Sequence, residues 1–172
     1  QSIAMVLVAS ASLGATPAGC DGEVEHAAAQ QVNKANELVR SGDLDGAIAA
    51  YKQVKDAKPD LAEATYNLAV AQYRKGDMAG ASSAFQTIAD GSDNALAAKA
   101  RYNLGNCDYA SAVQMSKADR DEAIKALDRA IDNYRAALDL EINDADARTN
   151  IELAASLREK LRREQQAEQA NQ

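Results

Sequence analysis

Arg101-Tyr102-Asn103-Leu104-Gly105-Asn106 decides how this chain is read, because weaker copies of it recur on both sides. Upstream stand Tyr66-Asn67-Leu68-Ala69-Val70 and Asn33-Lys34-Ala35-Asn36, and downstream stands Thr149-Asn150-Ile151-Glu152-Leu153. Each opens a helical pattern, and the first three are followed by a second, alanine-rich one. Ala35, Gly42, Ala47 and Tyr51 return as Ala69, Gly76, Ala81 and Phe85, each 34 residues later. A unit that small cannot bury its apolar face alone, whereas stacked copies can. The expected fold is an all-α helix-turn-helix solenoid.

Within the first unit, Val24, Ala27, Ala28, Gln31, Val32, Ala35, Leu38 and Val39 recur at three- and four-residue steps, so helix is expected from Glu23. Gly42 suits a left-handed helix end and Asp43 suits a cap for the next helix. That helix is expected over about Leu44 to Asp56, burying Ala47, Ile48, Tyr51 and Val54 before Pro59 stops it. The second unit repeats the scheme. Tyr66, Leu68, Ala69, Val70 and Tyr73 lie on one helix, Gly76-Asp77 makes the turn, and Met78, Ala81, Ala84, Phe85 and Ile88 lie on the next.

The third unit is expected from near Ala98, with Leu104 and Gly105 at close-packing positions. Leu104 to its next counterpart Ile151 is 47 residues rather than 34, and no Gly or Pro interrupts Asn106 to Leu140. Both helices of this unit should therefore be longer by nearly two turns, with the turn at Ser116-Lys117-Ala118-Asp119 and a capping box from Asp119 to Glu122. A last helix, Ala145 to about Gln169, should cap the stack with Ile151, Leu153, Ala154, Leu157 and Leu161 inward. The expected units are thus 28–61, 62–95 and 98–144, a capping helix from 145, and a solvated polar tail over 158–172.

Composition narrows the function. The chain has 172 residues, a formal net charge of −7 and 4% aromatic residues. Such acidity argues against a nucleic-acid partner, which needs a concentrated basic face. His26 is the only histidine, beside Glu23 and Glu25, and reads as a solvated helix residue. Cys107 lies mid-helix with no histidine near it in sequence and reads as a small buried apolar residue. No Gly-rich phosphate loop and no Cys-x-x-Cys occurs. Neither a catalytic site, a metal, a cofactor nor a small-molecule substrate is expected.

Residues 2–19 carry no charge, and Ile3-Ala4-Met5-Val6-Leu7-Val8-Ala9 is an apolar run too short for a membrane span. Residues 1–19 read as a secretory leader, followed by a linker over 20–27. Ala18-Gly19-Cys20 resembles the end of a bacterial lipobox, although Pro17 stands where leucine is usual. The resemblance implies lipidation of Cys20 and a lipid anchor on the periplasmic side of a bacterial membrane. The alternatives are cleavage after a site such as Ala9-Ser10-Ala11, giving a soluble periplasmic protein, and an uncleaved anchor.

The 34-residue period, with its order of small, turn, small and aromatic positions, resembles the tetratricopeptide repeat (TPR) family over about Ala28 to Leu157. The resemblance implies a partner-binding groove along the first helix of each repeat. Its positions correspond here to Ala29, Val32, Asn36, Val39 and Arg40, then Glu63, Tyr66, Val70, Tyr73 and Arg74, then Lys99, Tyr102, Asn106, Tyr109 and Ala110. Gln72 and Asp108 occupy a position that is normally aromatic or leucine, so Tyr73 and Tyr109 face either groove or core. The carboxylate clamp of chaperone-binding members needs cations where this chain has Val32 and Asn103, so a chaperone tail is not the expected ligand. Tyr102-Asn103-Leu104-Gly105-Asn106, Tyr134-Arg135-Ala136-Ala137-Leu138 and the run from Asn143 to Leu153 resemble the TPR proteins of bacterial aerotolerance (Bat-type) operons. The function these likenesses imply is a non-enzymatic, membrane-anchored adaptor binding partner peptides or helices. The alternative is a lipoprotein subunit of an envelope assembly machine, for outer-membrane protein insertion or pilus biogenesis.

Overall fold

The computed structural model describes residues 18–141 and 145–171, with side chains from residue 26 onward. Seven α-helices and no strand occur among the described residues. They are α1 (Ala18–Ser41), α2 (Leu44–Ala57), α3 (Ala62–Lys75), α4 (Met78–Ala89), α5 (Asn94–Met115), α6 (Arg120–Leu140) and α7 (Ala145–Ala170). Each packs on the helix before and the helix after it, the connectivity of a solenoid. The expected leader, apart from its last two residues, lies outside the described residues.

Short turns set this order. Gly42 and Gly76 adopt φ of 86° and 89°, a left-handed conformation that costs other residues about 1–2 kcal/mol. The aspartate that follows each one caps the next helix, accepting from Gly46 N and Gly80 N at 2.9 Å. Asp93 and Asp119 do the same for Leu96 N and Glu122 N at 3.0 Å. Because Asp93 caps so well, α5 begins at Asn94, four residues before the start expected near Ala98. α1 likewise begins at Ala18, so helix occupies the stretch expected to be a linker.

The core is a row of clusters. The first joins α1, α2 and α3 around Tyr51, Val54 and Leu68, and the second joins α3, α4 and α5 around Phe85, Ile88 and Leu104. Alanines lie between them at 0% exposure (Ala35, Ala47, Ala69, Ala81, Ala100), which brings helix backbones close. Gly105 marks the closest approach. A Cβ there would lie 2.5 Å from the Tyr134 ring, so the buried phenol leaves no room for a methyl group.

α5 and α6 have 22 and 21 residues against 14 and 12 for α3 and α4, the two-turn extension the spacing implied. The extension builds a cluster of Ala112, Ala123, Ile124, Leu127 and Leu161, which α7 covers. The end of α7 is therefore docked rather than a free polar tail. Leu161 is 4% exposed, Arg158 pairs with Asp128, and Glu168 accepts both Arg120 nitrogens at 2.6 and 3.0 Å. Its polar composition comes from ion pairs along α6, which sequence periodicity does not reveal.

Candidate functional site: the face of the odd-numbered helices

The first helix of each unit and the cap (α1, α3, α5 and α7) share one face, and three open depressions lie along it. The first, about 320 Å³, is lined by Ala28, Ala29, Val32 and Asn33 of α1 with Lys58, Asp60, Leu61 and Glu63. The second, about 220 Å³, holds Asn36, Val39, Arg40, Asn67, Val70 and Arg74 over Tyr51. The third, about 80 Å³, lies among Tyr73, Asn106, Tyr109, Tyr134, Asn150 and Leu153. Of the expected groove residues, Ala29, Val32, Asn36, Val39, Arg40, Glu63, Val70, Tyr73, Arg74, Asn106 and Tyr109 line these depressions. Lys99 is exposed but lines none of them, and Tyr66 and Tyr102 are half-buried between them.

The asparagines turn part of this face inward. Tyr51 and Tyr134 belong to α2 and α6 and are each 1% exposed. A phenol so buried needs an acceptor, and the carbonyls of Asn36 and Asn106 supply it, the latter at 2.8 Å. In the middle unit the aromatic is Phe85, with nothing to donate, and the matching groove residue is Val70. Asn36–Tyr51 and Val70–Phe85 share an offset of 15 residues, so this polar-with-polar, apolar-with-apolar pairing is legible in the sequence. Sequence reasoning placed both asparagines in the groove without noticing it.

A second set of bonds links successive units. Asn103 Nδ2 donates to the Tyr66 hydroxyl at 3.0 Å, and Asn150 Nδ2 to the Tyr102 hydroxyl at 3.1 Å. Asn106 joins the two through Asn103 and Asn150, at 3.4 and 3.3 Å. The Tyr66 ring also meets Phe85 edge-on at 5.6 Å, and the Tyr102 ring lies 5.7 Å from that of Tyr134. These two tyrosines are thus fixed by the scaffold, with their hydroxyls already bonded.

Gln72 and Asp108 stay in the helix interface in place of the usual apolar residue. Gln72 donates to Asp77 Oδ2 at 3.1 Å, and Asp108 accepts from Arg129 and Asn133 at 3.2 and 3.0 Å. Burial pushes the Asp108 carboxyl above its ordinary range, against the pull of those two partners. Tyr73 and Tyr109 consequently remain half-buried at the rim of the third depression and pack on the core from the groove side. Leu153 is a correction. It was expected inward but is 53% exposed and lines the same depression. It lies two residues from Ile151, about 200° around the helix, so the two cannot share a face.

Little here could do chemistry. Burial pushes the Cys107 thiol up to about 11, which keeps it protonated and unreactive at neutral pH. Among the described residues no group of His, Cys, Asp and Glu could hold a metal ion. Among them, too, no helix is long and apolar enough to cross a membrane. Cys20 lies in the first turn of α1.

Residues 32–95 match the family model described as tetratricopeptide repeat. Over those residues the chain carries tetratricopeptide repeats. Its TPR fold is also that of the first TPR of Spaghetti (RPAP3), solved bound to the HSP90 peptide SRMEEVD. That structure is 24% identical, covers 76% of this chain and 91% of its own, and has a TM-score of 0.60. The first TPR domain of the human RPAP3 protein, solved by NMR, is 24% identical over 78% of this chain and 97% of its own, with a TM-score of 0.58. No curated protein matches the chain.

A double substitution tests the inward bond. Asn36→Val alone should cost about 1–3 kcal/mol in urea unfolding, because the Tyr51 hydroxyl loses its acceptor. Adding Tyr51→Phe copies the middle repeat and should restore most of that loss. Equal instability in the single and double variants would contradict the pairing.

Proposed function

We propose that this TPR protein is a non-enzymatic adaptor that holds a partner peptide or helix along the face of α1, α3, α5 and α7. The observation that carries the reading is the row of three depressions on that face, whose walls combine tyrosine, valine and leucine with amide groups. Aromatic side chains fixed in this way offer contact area at little cost in entropy. The SRMEEVD complex of the Spaghetti domain supports the reading, because there the same fold holds a peptide. Val32 and Asn103 stand where the clamp for such tails needs cations, so the partner differs from a chaperone tail.

The test is a selection of random peptides displayed against the immobilised protein. Enriched peptides should lose about tenfold or more in affinity on Tyr73→Ala or Leu153→Ala, with helix content unchanged in circular dichroism. Failure to enrich any peptide, or enrichment of peptides indifferent to both substitutions, would contradict the groove.

The adaptor is also proposed to be held on a bacterial envelope membrane through Cys20. What supports this is the uncharged stretch 2–19 and Ala18-Gly19-Cys20, together with the likeness to Bat-type TPR proteins. Two acyl anchors give stable attachment where one is marginal. Expression in a bacterium with labelled palmitate should yield a membrane-bound product whose intact mass begins at an acylated Cys20. An unlabelled soluble product would contradict the anchor and leave the groove untouched.

A further inference from the structure

Most arginines of this chain are engaged with other groups. Arg101, Arg120, Arg129, Arg135, Arg158, Arg162 and Arg163 each lie within ion-pair distance of an Asp or Glu. Arg148 too has a partner. Among the described residues Arg40 and Arg74 have neither an ion pair nor a hydrogen bond, although the chain carries 26 acidic residues. Acid is within reach of that corner, since Lys75, the next residue after Arg74, pairs with Asp45.

The two free arginines are one position in successive repeats, 34 residues apart, and both line the second depression. Both fields reach the same buried point. Burial, and then the Glu63 carboxylate, hold the Tyr51 phenol above its ordinary range, while Arg40 and Arg74 oppose them. Placement in the last turn of a helix explains a cation there by the helix dipole, worth about 0.3–1 kcal/mol. It does not explain why both stay unpaired over one depression. Val39 and Val70 form an apolar wall beneath them, and Asn67, whose side chain makes no hydrogen bond, adds amide groups. Along the groove positions of the three repeats, Arg40, Arg74 and Lys99 stand against a single carboxylate, Glu63. At these positions cations outnumber carboxylates in a protein of net charge −7.

We propose that Arg40 and Arg74 are the anion-reading end of the groove and that the partner segment is an acidic peptide. Its carboxylate side chains would seat on the two guanidiniums, whose planar forks match carboxylate oxygens. Its apolar atoms would lie on Val39 and Val70 and run on toward Tyr73. This deepens the groove reading above and rests on it.

The experiment repeats the peptide selection with the full chain and with an Arg40→Gln/Arg74→Gln variant. Peptides taken by the unaltered protein should be enriched in Asp and Glu, and synthetic copies should bind the variant about tenfold or more weakly. Both sites are exposed, so the melting temperature should fall by only a few degrees, from the lost helix-dipole interaction. An Arg40→Glu/Arg74→Glu variant should instead enrich Lys- and Arg-rich peptides. Peptides that depend on Tyr73 and Leu153 but show no acidic enrichment, or that bind the glutamine variant equally well, would overturn the arginine assignment while the groove stands. If no peptide is enriched by any form, the groove reading fails and takes this one with it.

Discussion

A phenol buried between two helices must hand its proton to an acceptor, and in this chain the acceptor comes from the face that would otherwise be wholly free for binding. Tyr51 and Tyr134 take the carbonyls of Asn36 and Asn106, and Tyr66 and Tyr102 receive amide protons from Asn103 and Asn150, two helices further on. The first pair of bonds fixes each helix to its hairpin partner, and the second fixes each unit to the next. Removing either partner of such a bond leaves a polar group desolvated, at about 1–3 kcal/mol. The groove is therefore a by-product of how the repeats hold together. Its surface is shaped by side chains already locked in place, which lowers the entropy cost of binding.

That dependence explains why the architecture was easy to read and the site was not. The 34-residue period, the Gly-Asp turns and the two-turn extension of the third unit all follow from spacing, because they depend on backbone geometry and burial alone. Helix ends were less legible. The start of α5 is set by the Asp93 side chain, and the docked end of α7 by ion pairs to Asp128 and Arg120 and a hydrogen bond from Gln165 to Asp121, which no apolar periodicity encodes. Individual groove residues were less legible still. Asn36 and Asn106 sit at groove positions yet point their carbonyls at the core, and Leu153 turns outward where a run of apolar residues implied burial. The 15-residue offset of Asn36 from Tyr51, matched by Val70 and Phe85, was the sequence signal that carried the difference.

Electrostatics separates this face from the rest of the molecule. Most of the other arginines are spent in ion pairs, as Arg129 with Asp108 and Glu122 and Arg158 with Asp128 show. Exposed pairs of that kind contribute little to stability, about 0–1 kcal/mol each, but they occupy guanidiniums that a ligand could otherwise use. Cations kept out of such pairs are available to a partner, and a groove where cations outnumber carboxylates in an acidic protein speeds the approach of an acidic segment while repelling copies of the protein itself.

The most direct measurement is amide chemical-shift mapping of the isotope-labelled protein titrated with a selected peptide. The account predicts shifts concentrated on α1, α3, α5 and α7, strongest around the depressions holding Arg40, Arg74 and Tyr73. Shifts concentrated instead on α2, α4 and α6 would show that the protein binds through its opposite face and would contradict the account.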